Sequence, residues 1–282
     1  MVSNKLLFDS VGIGVRNEYY QELAQAEKQV VDFLELAPEN WMHMGGRRKK
    51  ILRQLAERYP IVAHGLCLSI GGPTPLDKQF LSDLKDFMQA FNIVYYSGHL
   101  SYCSDENGLL YDLMPMPFTE ESISYVAGRI REVQDYLGQR IAMENVSYYC
   151  APGQQISETD YINAVINEAD CHLLLDVNNI YVNSVNHGYD PYEFLMQMPL
   201  DKVSYVHVAG HLVESEDLLI DTHGEEVCEP VWQLLAHYYR NYGLAPTLLE
   251  RDNNVPNLND VLAEVEIINE VRQPSFAEIG HG

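Results

Sequence analysis

The sequence predicts an α/β fold, a (β/α)8 TIM barrel, on three observations. Short apolar strands alternate with amphipathic helices along the 282 residues, and that alternation implies a parallel sheet. Eight such strands fit a chain of this length, since one barrel fills roughly 250 residues around a single core. Residues able to do chemistry stand at the ends of nearly all the strands, whereas a doubly wound open sheet gathers them at one switch point. The first turn, GIGVRNEYY, also does not continue as the GxGxxG of a dinucleotide fold. A single domain over 1–282 is expected, with its core at about 11–272 and a short C-terminal tail.

Taken in order, the strands are expected at 11–15 (VGIGV), 32–37 (DFLELA), 61–65 (IVAHG), 93–99 (IVYYSGH), 140–145 (RIAMEN), 172–177 (HLLLDV), 203–209 (VSYVHVA) and 246–250 (PTLLE). The clearest helix is expected over 120–137, where Ile123, Val126, Ile130, Val133 and Leu137 recur at helical spacing. Thr119 is its expected N-cap, Glu120 and Glu121 suit the positive end of the helix dipole, and Gly138 supplies the left-handed exit. Further helices are expected near 158–169, opened by Ser157 and Asp160 at capping-box-like spacing, and near 76–91, with Leu81, Leu84, Met88 and Phe91 on one face. Pro230 begins another.

Composition narrows the function. A formal charge of −23, from 18 Lys and Arg against 41 Asp and Glu, repels a phosphate backbone, so nucleic acid is not an expected partner. No run is long and apolar enough to span a bilayer. The opening MVSNKLLFDS has neither a basic region before an apolar stretch nor a small-residue cleavage site, so export is not expected. Five scattered cysteines without a CxxC pair indicate neither a disulfide framework nor a zinc ribbon, and a reducing cytoplasm fits them.

The strand ends carry the chemistry. Strand three ends in His64, strand four in His99, strand five in Glu144, strand six in Asp176, strand seven in His207 and strand eight in Glu250. Asp221 and His223 of DTHG follow strand seven at a spacing that puts both on one side of an extended segment, and Asn179 of LDVNNIY adds a neutral oxygen. Each alone has an ordinary explanation, because a His or carboxylate at a strand end commonly bonds loop backbone. Together, four carboxylates and four imidazoles on one rim would leave buried charge uncompensated. Arg251 is the one Lys or Arg noted at these strand ends, so metal is the economical counter-ion. Transition ions take about four to six ligands, so this set implies two or three ions. Imidazole and carboxylate without thiolate suit iron, manganese or zinc, and the residues alone do not choose among them.

Other rim residues carry weaker signals. Glu39 and Asn40 either contact the site or cap a turn, and His211, just past strand seven, is a candidate to line the pocket. His172 opens a strand at the opposite end, and His43, His187, His237 and His281 read as solvent-facing. Cys67 and Cys103 follow His64 and His99 closely but read as small apolar filler.

The motifs HGLCLSIGG, GHLSY, MENVS, LDVNNIYVN, YVHVAGH with DTHG, and LLERD, in this order, resemble the multinuclear non-heme iron-dependent oxidases, from about Gly12 to about Val271. The resemblance implies a xylose-isomerase-like barrel holding two or three iron ions on His64, His99, Glu144, Asp176, Asn179, His207, Asp221, His223 and Glu250. Glu144, Asp176 and His207 are then the metal-site residues on which catalysis depends. It also implies dioxygen-dependent oxidation of cysteine in a ribosomally made precursor peptide, usually with a small partner protein that recognises the peptide. Three rivals remain on the same barrel: a metal-dependent sugar isomerase or epimerase, for which no lysine stands at a strand end as base; a trinuclear-metal phosphodiesterase, against which the acidic surface counts; and a non-catalytic metal-binding scaffold, which the long polar rim loops SYCSDENG and HLVESED, read as leaving the site open, disfavour.

Overall fold

Among the described residues twelve strands form, in chain order: β1 Val11–Gly14, β2 Phe33–Leu36, β3 Ile61–His64, β4 Tyr96–His99, β5 Ser101–Asp105, β6 Gly108–Pro115, β7 Ala142–Glu144, β8 His172–Asp176, β9 Val203–Val208, β10 Leu212–Ser215, β11 Leu218–Ile220 and β12 Thr247–Leu249. Eight of them close into a parallel barrel in the order β1-β12-β9-β8-β7-β4-β3-β2. The computed structural model describes residues 6–27, 29–151 and 153–273, and of Tyr111 the backbone alone. The expected C-terminal tail, with His281, lies outside the described residues.

Each barrel strand falls within a segment the sequence predicts. The fourth begins at Tyr96 instead of 93, although Val94 N still donates to Ile61 O at 2.8 Å and Ala63 N to Tyr95 O at 2.9 Å. The helix Glu120–Leu137 forms as expected, with Thr119 Oγ1 accepting from Ser122 N and Gly138 at φ 79°. The helix expected from 76 starts at Lys78, because the Asp77 carboxylate accepts from Gln79 N and Phe80 N and so marks the first turn two residues later. Among the described residues no helix is long and apolar enough to cross a membrane.

Side chains alternate across a strand with period two, so one residue in two faces the barrel interior. The interior plug is Phe33, Val62, Ala142, Leu174, Tyr205 and Leu248, all buried. Two residues further along each of these strands, one pleat nearer the rim, stand Glu35, His64, Glu144, Asp176, His207 and Glu250. Outward-facing neighbours such as Leu34, Ala63, Leu175 and Val206 join the helices in the main core. The same periodicity therefore makes an apolar floor and a polar layer above it.

The rim loops read as long and polar in the sequence fold instead into two antiparallel hairpins, β5 with β6 and β10 with β11. Asn107-Gly108 is a turn signal for the first, and Gly108 takes φ 137° there. After β9, Gly210 lies against the Glu225 carbonyl so closely that a Cβ would collide with backbone. That contact lets the loop double back and bring Asp221 and His223 over the rim.

Candidate metal centre

Strand register sets the first level of the site. His99 on β4 pairs with Glu144 on β7, and Asp176 on β8 pairs with His207 on β9. His64 Nε2 lies 3.0 Å from Glu144 Oε2 and 3.0 Å from His99 Nε2, and His99 Nε2 is 3.3 Å from the same carboxylate oxygen. Across the barrel His207 Nδ1 stands 2.8 Å from Glu250 Oε2 and 3.8 Å from Glu144 Oε1. His223 bridges outward, with Nε2 2.7 Å from Asp221 Oδ1 and 4.0 Å from Asp176 Oδ2, and Nδ1 3.2 Å from Glu250 Oε2. Asn179 Nδ2 bonds Asn145 O and approaches Glu144 Oε1 at 3.4 Å. All nine residues singled out in the sequence thus meet in one cluster.

Asp221 and His223 do so by a route different from the one expected. Their segment is not extended, because His223 sits in the left-handed region at φ 47°. A non-glycine residue is held there only where its surroundings over-determine it. Here the backbone of Asp252 donates to His223 O at 2.8 Å.

Six buried polar atoms in this cluster make no well-aligned hydrogen bond: Glu144 Oε2, Asp176 Oδ2, Asn179 Oδ1, His207 Nδ1, His223 Nε2 and Glu250 Oε2. Native interiors leave few such atoms, and six converging at one place mark a ligand-binding centre. They are oxygen and imidazole nitrogen donors, which fit divalent first-row ions. Three overlapping groups bring donor atoms within 4.8 Å of one another: His64, Glu144 and His207; Glu144, Asp176, His207 and Glu250; and His223, Glu250 and Asp252.

Charge within the cluster is balanced uneasily. Burial disfavours a charged His64, yet the adjacent Glu144 outweighs it and lifts the imidazole to about 9. Burial, reinforced by His64, holds His99 down to about 4. Burial also raises Asp176 well above the usual carboxylate range against the pull of His223. Protons here occupy positions that cations would take, which is how metal binding and deprotonation are linked.

Residues 10–273 match the family described as the RiPP precursor modification enzyme MbnB/TglH/ChrH, RiPP denoting a ribosomally synthesised and post-translationally modified peptide. The chain belongs to this family. It is 53% identical over 279 residues to a UPF0276 protein of Alcanivorax borkumensis, covering 95% of this chain and 93% of the relative. It is 52% identical over 260 residues to a UPF0276 protein of Shewanella sediminis, covering 92% and 93%. Solved structures with the same barrel include a D-tagatose 3-epimerase-like protein (TM-score 0.64, 14% identity, 96% of this chain and 100% of that one). A xylose isomerase domain protein of Salmonella typhimurium is also similar (0.62, 13%, 95% and 97%), as is an IolI protein with a bound zinc atom (0.59, 14%, 93% and 98%). At these identities the likeness shows the xylose-isomerase-like fold alone.

In this family member a cavity of about 370 Å³ opens above the cluster. Its walls include three functional candidates that the sequence reading passed over. Glu35, buried on β2, places Oε2 3.0 Å from His207 Nε2. It was missed because its strand continues to Leu36, yet a lone charge inside an apolar strand is itself a signal. Asp252 follows Glu250 by two residues on the same face, and its Oδ2 is 3.5 Å from His223 Nδ1. Arg16, two residues past Gly14, pairs with Asp252 and lies 3.9 Å from Glu250. Arg16 is the one Lys or Arg among the described residues lining the cavity. Arg251, the cation noted in the sequence, turns away to bond Glu264 on the outer side.

The remaining signals separate cleanly. Glu39 caps loop backbone, accepting from Leu66 N and Cys67 N at 2.8 and 2.9 Å, while Asn40 lines the cavity. His211 sits behind the site, with Nδ1 2.7 Å from Asn178 Oδ1, and Asn178 in turn donates to Asp221. Neither Cys67 nor Cys103 lines the cavity. His43 and His187 are exposed and His237 is half-buried, its ring edge-on to Tyr192.

Proposed function

We propose that the chain oxidises cysteine of a ribosomally synthesised precursor peptide with dioxygen, at a centre of two or three iron ions. His64, His99 and Glu144 would hold one position, Asp176, His207 and Glu250 a second, and Asn179, Asp221 and His223 the outer part. The observation that carries this reading is the convergence of six unpartnered buried donor atoms beneath an open cavity, in a chain whose family modifies such precursors. Iron bound there supplies a Lewis acid that favours a substrate thiolate, and electrons for dioxygen.

The protein's own residues do the rest. The cavity, near the lower end of the roughly 300–1,000 Å³ typical of ligand sites, admits a side chain with its flanking backbone and not a folded domain. Val15, Trp41 and Leu66 are among its apolar walls, and Arg16, Asn40 and Asn253 are the polar wall residues that would meet a peptide backbone. A cysteine on an extended segment could thus reach the donor atoms while Trp41 limits water around it. A small partner protein that presents the peptide belongs to the same reading.

The test combines composition and turnover. Protein produced with iron-57 is analysed for metals and by Mössbauer spectroscopy, then incubated in air with cysteine-containing peptides encoded beside its gene. Two or three irons per chain, with a coupled pair and a mass change at cysteine, are expected. Zinc or manganese alone after anaerobic iron reconstitution, with every peptide unchanged, would overturn the reading.

A further inference from the structure

Four hydrogen bonds run across the barrel from one side of the candidate metal centre to the other, dipping through the pleat beneath it. His64 Nδ1 lies 2.8 Å from Ser97 Oγ, and Ser97 Oγ lies 2.6 Å from the Tyr205 hydroxyl. That hydroxyl lies 2.7 Å from Glu35 Oε2, and the same carboxylate oxygen lies 3.0 Å from His207 Nε2. Ser97, Tyr205 and His207 are fully buried, and Glu35 is 3% exposed, so solvent cannot reorient the chain of bonds.

The direction of every proton follows from one group. An ionised carboxylate only accepts, so Tyr205 O–H and His207 Nε2–H both donate to Glu35. Tyr205 has then used its one proton and accepts from Ser97. Ser97, whose alternative acceptor Ala63 O is far off at 3.5 Å, has used its own and accepts from His64 Nδ1–H. The nitrogens left over, from which a metal would displace a proton, are His64 Nε2 and His207 Nδ1, the two that face Glu144 and Glu250.

We infer that Glu35 is a positioning residue that fixes, through Tyr205 and Ser97, the tautomers of both His64 and His207, so that each turns a lone pair toward the metal centre. The inference rests on the reading of that cluster as a metal centre. A self-contained polar layer would be the plainer account, but Tyr205 shares its pleat with Phe33, Val62, Ala142, Leu174 and Leu248, and filling the positions of Ser97, Tyr205 and Glu35 with apolar side chains as well would cost no carboxylate desolvation. Histidine ligands commonly carry an outer partner of this kind on their second nitrogen. Here one carboxylate serves two of them, from strands on different sides of the barrel.

Two substitutions separate the branches. Glu35→Gln places a donor where only acceptors stood; its amide N–H reverses Tyr205 and Ser97 and drives the His64 proton onto Nε2, or leaves His207 without its acceptor. Tyr205→Phe cuts the branch to His64 and leaves Glu35 on His207. Metal-stripped full-length protein is titrated anaerobically with cobalt(II), whose visible bands report the ligand field, and the metal-free forms are melted by circular dichroism. We expect Glu35→Gln to weaken cobalt(II) binding by about 10–100-fold with altered bands at two positions, and Tyr205→Phe to weaken one class of site by about 10-fold with the other unchanged. Variants that bind cobalt(II) with wild-type stoichiometry, affinity within about 2-fold and unchanged bands overturn the inference, and Tyr205→Phe decides alone if Glu35→Gln does not fold. Failure of the wild-type chain to bind cobalt(II) would instead overturn the metal-centre reading.

Discussion

Glu250 and Arg251 are neighbours in the chain and face opposite ways just past β12. Glu250 turns into the barrel, where its Oε2 lies among His207 and His223 without a well-aligned hydrogen bond. Arg251 turns outward, where Nε and Nη2 reach Glu264 Oε2 at 3.1 and 2.5 Å while Glu264 Oε1 accepts from Val227 N at 2.7 Å. Both are buried and charged, but the outer pair completes its own valences and the inner cluster does not. Burial alone therefore does not distinguish a structural ion pair from a binding centre. The unfinished valences do.

Substitution on each side should break the protein in opposite senses. The largest effect belongs to Asp176, whose Oδ1 caps Asn179 N at 2.7 Å while Oδ2 is unpartnered. Asp176→Asn keeps the cap and removes a charge that burial opposes. We expect metal content to fall by at least one ion per chain and peptide turnover by at least about 10²-fold. The metal-free melting temperature should hold or rise by about 2–4 °C per kcal/mol relieved. Full metal content in this variant would contradict the assignment of Asp176. Next comes Arg251→Met, which strands Glu264 in an apolar setting and should destabilise by about 3–5 kcal/mol. Metal per folded chain should be unchanged, and a loss of metal without loss of stability would erase the contrast between the two sides.

The sequence makes the barrel legible because strands and helices alternate with strong caps, as at Thr119 and Ser157, and because barrel chemistry gathers where strands end. The same rule misled where a strand runs on, as past Glu35, and where the functional residue follows the strand, as at Arg16 and Asp252. Arg251 shows the same limit: adjacency in the chain says nothing about which face a residue takes until the pleat is known. The hairpins were hidden because β10 is exposed throughout, so no apolar alternation marks it as a strand. Contacts that cross the barrel, such as Glu35 to His207, join residues 172 apart, and a single sequence holds no trace of them.

Glu158 is the intermediate case, and it offers the smallest and finest test. It lies on the outer side like Arg251, at the start of the helix Glu158–Ala169, but its partner is the neutral Tyr148 hydroxyl, 2.9 Å from Oε2. Burial lifts its carboxyl to about 8, with the Tyr148 hydrogen bond pulling the other way. Because the folded value exceeds the unfolded value of about 4.3, the stability this group contributes is complete below pH 4.3 and lost as pH rises through about 8. Glu158→Gln cannot ionise, so it should match the wild type near pH 4 and be the more stable protein at pH 8.5, by about 5 kcal/mol. Favourable placement of the anion at a helix N-terminus trims the gap by roughly 0.3–1 kcal/mol. Thermal melts of both metal-free proteins across this range decide the matter, since every other titrating group is common to the two and cancels in the difference. Parallel curves would mean that Glu158 is already ionised in the fold and that one neutral hydroxyl and a helix end complete its valences, as Arg251 completes those of Glu264. A widening gap would place Glu158 between the two clusters: a strained carboxylate standing alone, without the converging donors that make the inner cluster a candidate for metal.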